Sequence, residues 1–144
     1  MRTSRTCFAI ALLVVTSGGG GAALAEVAVI GHPSLAVDSI SEQDARNIFL
    51  GKTTTLTGGA NVTAADQNED SPTKNAFYKS VIQKDPAQLK AYWSKMIFSG
   101  RGTPPPVVGN DEDAKKWAAS TPGGITYVNS SVVDGSVKVL MRAQ

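Results

Sequence analysis

The segment DSPTKNAFYKSVI, residues 70–82, places a Ser-Pro pair directly before a run of residues with helical periodicity. Ser71 is a favourable N-cap, and Pro72 suits the first helical position because its missing N–H would have no partner there. The apolar residues of this run fall on one face of a helix, and they are Ala76, Phe77, Val81 and Ile82. The segment therefore predicts a capped helix over residues 71–83 that packs on a core.

The same helix start has the features of an anion site. Amides without an intrahelical partner and the positive end of the helix dipole both favour negative charge. The hydroxyls of Ser71 and Thr73 could add donors, and Lys74 lies beside them. The alternative is that Ser71 only caps the helix, and the segment taken alone favours capping.

Further helices and strands are predicted on both sides of this segment. Ser41, with Asp44 three residues later and Gly51 as a stop, marks an earlier helix, and Asp85 caps a helix that begins at Pro86. Residues 110–120 predict a short capped helix around Trp117. The predicted strands are VAVIG (27–31), a weak NVTAA (61–65), ITYV (125–128) and VKVLM (137–141). Because strands and helices interleave, the fold class is α/β with a small mixed sheet flanked by helices.

Aromatic residues in two of the predicted helices are interpreted as core residues. The helix that begins at Pro86 carries five apolar residues at helical spacing: Leu89, Tyr92, Trp93, Met96 and Ile97. We expect Tyr92, Trp93 and Trp117 to pack in the core, since nothing near them indicates a stacking surface for a ligand.

The first 25 residues have the pattern of a secretory signal peptide. Arg2 and Arg5 precede a short apolar run, and Ala23-Leu24-Ala25 fits the small-x-small rule for cleavage. Cleavage after Ala25 would leave one domain, residues 26–144, exported to the periplasm and without cysteine. Removing the two arginines from the 14 basic residues leaves 12 against 12 acidic ones. This balance gives no electrostatic reason to expect nucleic acid as a partner.

Three kinds of chemistry have little support in the sequence. Gly51-Lys52-Thr53 resembles the end of a phosphate-binding P-loop, but Arg46 stands where that motif needs glycine, and a helix rather than a strand precedes it. His32 is the only histidine and has no companions at metal-ligand spacing, so we interpret it as a turn residue. With no cysteine in the mature chain and no recognisable acid–base pair, we expect no enzyme activity, metal or cofactor.

Three separated segments, in order, resemble a known family. ARNIFLGKTTTL (45–56), DSPTKNAFYKSVI (70–82) and PGGITYV (122–128) are similar to the IF-G-K-x-x-x-W, D-x-S-G-T-x-x-x-F and P-G-x-I-G-Y-V segments of periplasmic phosphate-binding proteins of ABC transporters. YWSKMIFSGRGTPPPVV (92–108) resembles a short variety of that superfamily. The resemblance covers residues 27–140 and implies one lobe of a type 2 periplasmic binding protein-like fold.

The resemblance also implies where a ligand would bind. In the family, a Ser-Gly-Thr loop at a helix N-terminus holds phosphate oxygens, and Ser71 and Thr73 match its serine and threonine. Two departures weaken that site: Pro72 replaces the glycine, and Gln67 stands where relatives carry an arginine. Glu69 and Asp70 add negative charge immediately upstream. A single lobe supplies half of the site that two lobes close in relatives, so we expect weak binding.

The sequence thus predicts an exported solute-binding domain that holds phosphate or another oxyanion for ABC-type uptake or sensing. The predicted ligand-binding residues are Ser71, Thr73, Lys74, Asn75 and Arg101, with the lysine and arginine as neutralising charges. An ABC transporter permease, another periplasmic protein or a second copy of the chain are the protein partners to consider. The alternative function is a single-lobe module that binds a partner protein and no longer binds a small solute.

Overall fold

The computed structural model describes residues 26–143. The predicted signal peptide, residues 1–25, lies outside the described residues. Within residues 26–143, no helix is long and apolar enough to cross a membrane. The strands are β1 (Val27–Gly31), β2 (Thr63–Ala64), β3 (Gly124–Asn129) and β4 (Lys138–Ala143), and the α-helices are α1 (Glu42–Phe49), α2 (Pro72–Phe77), α3 (Pro86–Phe98) and α4 (Asp111–Ser120).

The four strands form one mixed sheet in the order β2-β3-β1-β4. β1 is antiparallel to both of its neighbours, pairing Val29 with Tyr127 of β3 and with Met141 of β4. β2 joins the edge of β3 in parallel, with Thr63 opposite Gly124. The small mixed sheet and the α/β class predicted from the sequence are therefore confirmed.

The central strand β1 separates two apolar cores. Alternate side chains of a strand point to opposite faces of the sheet, and all five residues of β1 are buried. Val27 and Val29 pack with residues of α1, α2 and β3, whereas Ala28 and Ile30 pack with α4. Helices thus cover both faces, which explains why β1 has no polar side chain.

The side chains that were predicted to cap the helices do so. Ser41 accepts a hydrogen bond from the Asp44 amide while the Asp44 carboxylate accepts one from the Ser41 amide. Asp85 and Gln88 form the same reciprocal pair at the start of α3, and Ser71 caps α2 with Pro72 in its first turn. These local interactions satisfy amides that the helix itself leaves without partners.

Two helical expectations need correction. The predicted continuous helix over residues 71–83 is a short α-helix followed by a π-helical turn, Tyr78–Ile82, which ends at Gln83 with a φ of 61°. The apolar face predicted for α3 is only partly covered: Trp93 is buried, whereas Ile97 is 55 % exposed. Ile97 lies in the last turn of α3, beyond the part of that helix that packs on the rest of the domain.

Candidate functional site

Ser71 begins the candidate site as the N-cap of α2. Its hydroxyl accepts a hydrogen bond from the Lys74 amide at 3.2 Å and donates one to Gln67 Oε1 at 2.6 Å. The Ser71 residue is buried, and Pro72 at the first helical position supplies no amide. The hydroxyl that was predicted to face a ligand is thus already paired within the protein.

Thr73 is paired in the same way. Its hydroxyl donates to Asp111 Oδ2 at 3.0 Å. The other oxygen of that carboxylate, Oδ1, accepts from Gln67 Nε2 at 2.9 Å and from the Asn129 amide at 3.0 Å. Asp111, the first residue of α4, therefore ties together the start of α2, the segment after β2 and the end of β3.

Lys74 lies between two carboxylates. Its Nζ is 2.7 Å from Glu69 Oε1 and 3.2 Å from Asp66 Oδ2. The side chains of Lys74 and Asp66 are each only 6 % exposed, whereas that of Glu69 is 88 % exposed. Burial by itself lowers the pKa of Lys74, but the hydrogen bonds and charges of Glu69 and Asp66 outweigh it and raise the pKa.

Asp66 is the centre of a buried polar network. Besides Lys74, it accepts hydrogen bonds from the Tyr78 hydroxyl at 3.0 Å, from the Tyr127 hydroxyl and from the Gln67 amide at 2.8 Å. Burial, followed by the charge of Asp66, raises the pKa of both tyrosines, so they are neutral donors at neutral pH. Four donors thus offset the cost of burying this carboxylate.

Asn75 and Arg101, the other two predicted ligand-binding residues, are both exposed. Asn75 lies one residue beyond Lys74 on α2 and faces the adjacent groove. Arg101 lies in the turn after α3 and does not line that groove. The structure therefore brings Ser71, Thr73, Lys74 and Asn75 together at the start of α2, with Arg101 on a separate segment.

Asp66 and Asp111 were missed as members of this site. Asp66 lies two residues after the end of β2, and a polar residue close to a strand end is a weak sign of a site. Asp111 belongs to the acidic run 111–113, and acidic residues are common in the first turn of a helix. Asp111 and Thr73 are 38 residues apart in the sequence, so no local pattern predicts their hydrogen bond.

An open groove of about 940 Å³ adjoins the site. It runs between α2 with its π-helical turn on one side and the first half of α3 on the other. Tyr78, Leu89 and Trp93 contribute its apolar surface, and Lys74 and Glu69 lie at one end. A concave apolar surface with a few polar groups is the usual form of a small-molecule site.

No cluster of metal-ligating side chains occurs among residues 26–143. His32, in the turn after β1, pairs through Nδ1 with the hydroxyl of Ser34 at 2.6 Å. This local pair gives the histidine a role in the turn.

The fold is similar to that of solved transporter binding proteins. A putative phosphate ABC transporter substrate-binding protein from Clostridium perfringens, solved with bound phosphate, matches with a TM-score of 0.62 and 18 % identity over 81 % of this chain and 45 % of its own. An ABC-type phosphate transport receptor from Vibrio cholerae matches with a TM-score of 0.60 and 15 % identity, over 82 % and 47 % of the two chains. PstS from Borrelia burgdorferi gives 0.59 and 15 %, over 81 % and 47 %.

Comparisons of sequence give no such match. No protein-family model matches the chain, and no curated protein does. The chain spans less than half the length of the solved structures it resembles. At this identity the likeness concerns the fold: the chain has the α/β fold of one lobe of a phosphate ABC transporter substrate-binding protein.

Proposed function

We propose that this protein is an exported, periplasmic solute-binding domain that holds phosphate or a similar oxyanion at the start of α2. Binding uses hydrogen bonds and charge, with no reaction on the ligand, and serves ABC-type uptake or sensing. Two facts support the proposal: the fold is that of one lobe of phosphate ABC transporter substrate-binding proteins, and Ser71, Thr73 and Lys74 lie together at one helix start.

The observation that carries the proposal is the unequal pair of carboxylates at Lys74. Asp66 is buried and held by four donors, so it stays in place when the ligand binds. Glu69 has an 88 % exposed side chain and can turn into water at little cost. An oxyanion would take the place of Glu69 at Lys74 Nζ, exchanging one anion for another.

The hydroxyl donors would change partners in the same step. Ser71 would turn from Gln67, and Thr73 from Asp111, to reach the ligand. Each exchange gives up an existing hydrogen bond, and the charges of Glu69 and Asp70 oppose a dianion. We therefore expect weak binding by the isolated domain, strengthened where a second protein surface covers the open half of the site.

Calorimetric titration of the protein with phosphate and with sulfate tests this proposal. Ser71→Ala and Thr73→Val each remove one hydroxyl donor, and Ser94→Ala on the exposed side of α3 is the matched control. We expect both site variants to weaken binding by about fivefold to tenfold, as expected for one hydrogen bond of roughly 1 kcal/mol. Absence of heat at millimolar ligand, or heat that both site variants leave unchanged, contradicts the proposal.

A second candidate function is a lobe that binds a partner protein instead of a solute. The observation in its favour is that Ser71, Thr73 and Lys74 already have acceptors within the protein, while Ile97, Phe98 and Val107 expose apolar surface. Such a partner could be a transporter permease, another periplasmic protein or a second copy of this chain.

Size-exclusion chromatography with light scattering separates these functions. A stable homodimer that binds phosphate supports a site shared between two lobes. A monomer that does not respond to phosphate and co-purifies with another periplasmic protein supports the interaction module.

A further inference from the structure

The groove between the π-helical turn and α3 has three lysines on its walls. Lys79 belongs to the π-helical turn, Lys84 to the short link after it, and Lys90 to α3. None of the three has a carboxylate within ion-pair distance among the described residues. Lys84 Nζ lies 5.5 Å from the centre of the Tyr92 ring, close enough for a cation–π contact that leaves the charge without a counter-ion.

The carboxylates that line the groove are already paired with donors of the protein. Asp66 is held by its buried network, Glu69 by Lys74, and Asp85 by the Gln88 amide at the start of α3. They are therefore poor partners for the three lysines. Asp85 has no cationic partner among the described residues, so the four lysines and three carboxylates that line the groove leave an excess of one positive charge.

The surface between these lysines is apolar. Trp93 is buried against the rest of the domain, yet it contributes to the groove together with Tyr78 and Leu89. The volume of about 940 Å³ is at the upper end of the range for small-molecule sites, roughly 300–1,000 Å³. An apolar floor favours a hydrocarbon body, and lysines without counter-ions favour a negatively charged head.

We propose that this groove holds a second binding site, which adjoins the oxyanion site at Lys74 but uses other residues, for a small amphipathic anion: an aromatic or aliphatic body with a carboxylate head. The body lies on Trp93, Tyr78 and Leu89. The head pairs with the ammonium groups of Lys79, Lys84 and Lys90, whose flexible stems can converge on one group from both walls.

Three ligands of equal shape and different charge test this site. The ¹⁵N-labelled protein is titrated with 4-phenylbutyrate, 4-phenylbutanol and 4-phenylbutylamine, and amide shifts are followed by NMR. We expect the carboxylate to shift amides of residues 78–93 and the Trp93 indole, with a dissociation constant about tenfold lower than that of the alcohol, and the amine to bind least. Equal binding of the three, no binding of the carboxylate, or shifts outside residues 78–93 overturns the proposal.

Charge-neutral variants add a second test. The triple variant Lys79→Gln, Lys84→Gln, Lys90→Gln should raise the dissociation constant of 4-phenylbutyrate by about tenfold, whereas the control Lys52→Gln, Lys95→Gln, which alters lysines outside the groove, should not change it. An unchanged constant in the triple variant contradicts the assignment of the head to these lysines.

Phosphate separates this site from the oxyanion site. Saturating phosphate should leave the dissociation constant for 4-phenylbutyrate unchanged. Competition between phosphate and 4-phenylbutyrate would overturn the claim of two sites. The two proposals can therefore fail independently of each other.

Discussion

Gln67 occupies the position at which the resembling family carries arginine, and its amide joins three parts of the domain. Its Nε2 donates to Asp111 Oδ1 and to the Tyr127 carbonyl, while Oε1 accepts from Ser71. The residue has no exposed surface. A neutral amide can both donate and accept hydrogen bonds, whereas an arginine can only donate. Gln67 can therefore accept the hydrogen bond of the Ser71 hydroxyl in the absence of a ligand.

Replacement of this amide by an apolar side chain of similar length should destabilise the domain. Gln67→Met removes the acceptor of the Ser71 hydroxyl and one donor each from Asp111 Oδ1 and the Tyr127 carbonyl. We therefore expect a loss of about 2–4 kcal/mol in the free energy of unfolding. Urea denaturation measures it. Gln43→Met, at an exposed position of α1, is the control and should change stability by less than about 0.5 kcal/mol. A loss no larger than in the control would show that the buried amide is dispensable.

Glu69 should act as a competitor of the oxyanion. Glu69→Gln removes the exposed charge that pairs with Lys74, so phosphate affinity should rise by about twofold to fivefold, the range of one exposed ion pair. Titration calorimetry measures the change. Asp70→Asn removes the same charge one residue away, with no ion pair to Lys74, and should raise affinity less. A weaker affinity in Glu69→Gln would mean that Glu69 supports the site.

The residues of the candidate site were only partly predictable. Ser71, Thr73 and Lys74 were predicted from a local pattern, because neighbouring residues form the N-cap and first turn of a helix. Their actual partners Asp66, Gln67 and Asp111 were not predicted as partners. Those pairings depend on β3 and α4 lying beside α2, which is a property of the tertiary fold.

At the level of elements, helix starts were predicted better than helix packing. Capping depends on three or four neighbouring residues, so Ser41, Ser71 and Asp85 marked their helices correctly. The π-helical turn after α2 was not predicted. In this turn the Tyr78 hydroxyl donates to Asp66, and the centre of the Tyr78 ring lies 5.5 Å from that of Phe77. The hydrogen bond to Asp66 depends on the tertiary fold, so no local sequence pattern predicts the π-helical turn.

Helix α3 should open more readily than the sheet. Only Trp93 is buried along its 13 residues, and the hydroxyl of Tyr92 holds it to the Leu50 carbonyl. Its amides should therefore exchange with solvent through local opening, at a lower free energy than those of β1 and β3. Native-state hydrogen exchange measures this difference.

Helix α1 provides the comparison within the same molecule. It is shorter than α3 but buries Ala45, Ile48 and Phe49, so its amides should be better protected. Equal protection of α1 and α3 would contradict this account of α3. Binding of 4-phenylbutyrate in the groove should raise the protection of α3 and of the π-helical turn, and leave that of α1 unchanged.

At the scale of the whole molecule, the fold was predictable because three ordered segments resemble one family. The sheet order and the position of α4 on the opposite face were not, since they depend on which strands pair. The domain spans less than half of the similar solved proteins. The Ser71 and Thr73 hydroxyls at the start of α2 are hydrogen-bonded to the protein's own side chains. A ligand oxygen would have to replace Asp111 as the acceptor for the Thr73 hydroxyl.

The stability of the molecule should fall in alkaline solution. The pKa values of Lys74, Tyr78 and Tyr127 are all raised in the folded protein. The unfolded chain releases these protons near pH 10, whereas the folded chain keeps them. Their contribution is therefore fully present below about pH 10 and is lost as the pH rises through the folded values.

Urea midpoints between about pH 8 and pH 11.5 measure this loss. Tyr127→Phe removes one of the three groups, so its midpoint should depend less steeply on pH than that of the unaltered protein, each relative to its own value at about pH 8. A midpoint that stays constant across this range would contradict the raised pKa values.

The most direct test of the oxyanion site is an NMR titration of the ¹⁵N-labelled protein with phosphate, alongside Glu69→Gln. We predict that the amides of Thr73, Lys74 and Asn75 shift in a saturable way, and that the same amides shift at lower phosphate concentration in the variant. Amides at the start of α2 that do not move, in a protein whose other amides remain dispersed, would contradict the proposal that this domain binds an oxyanion there.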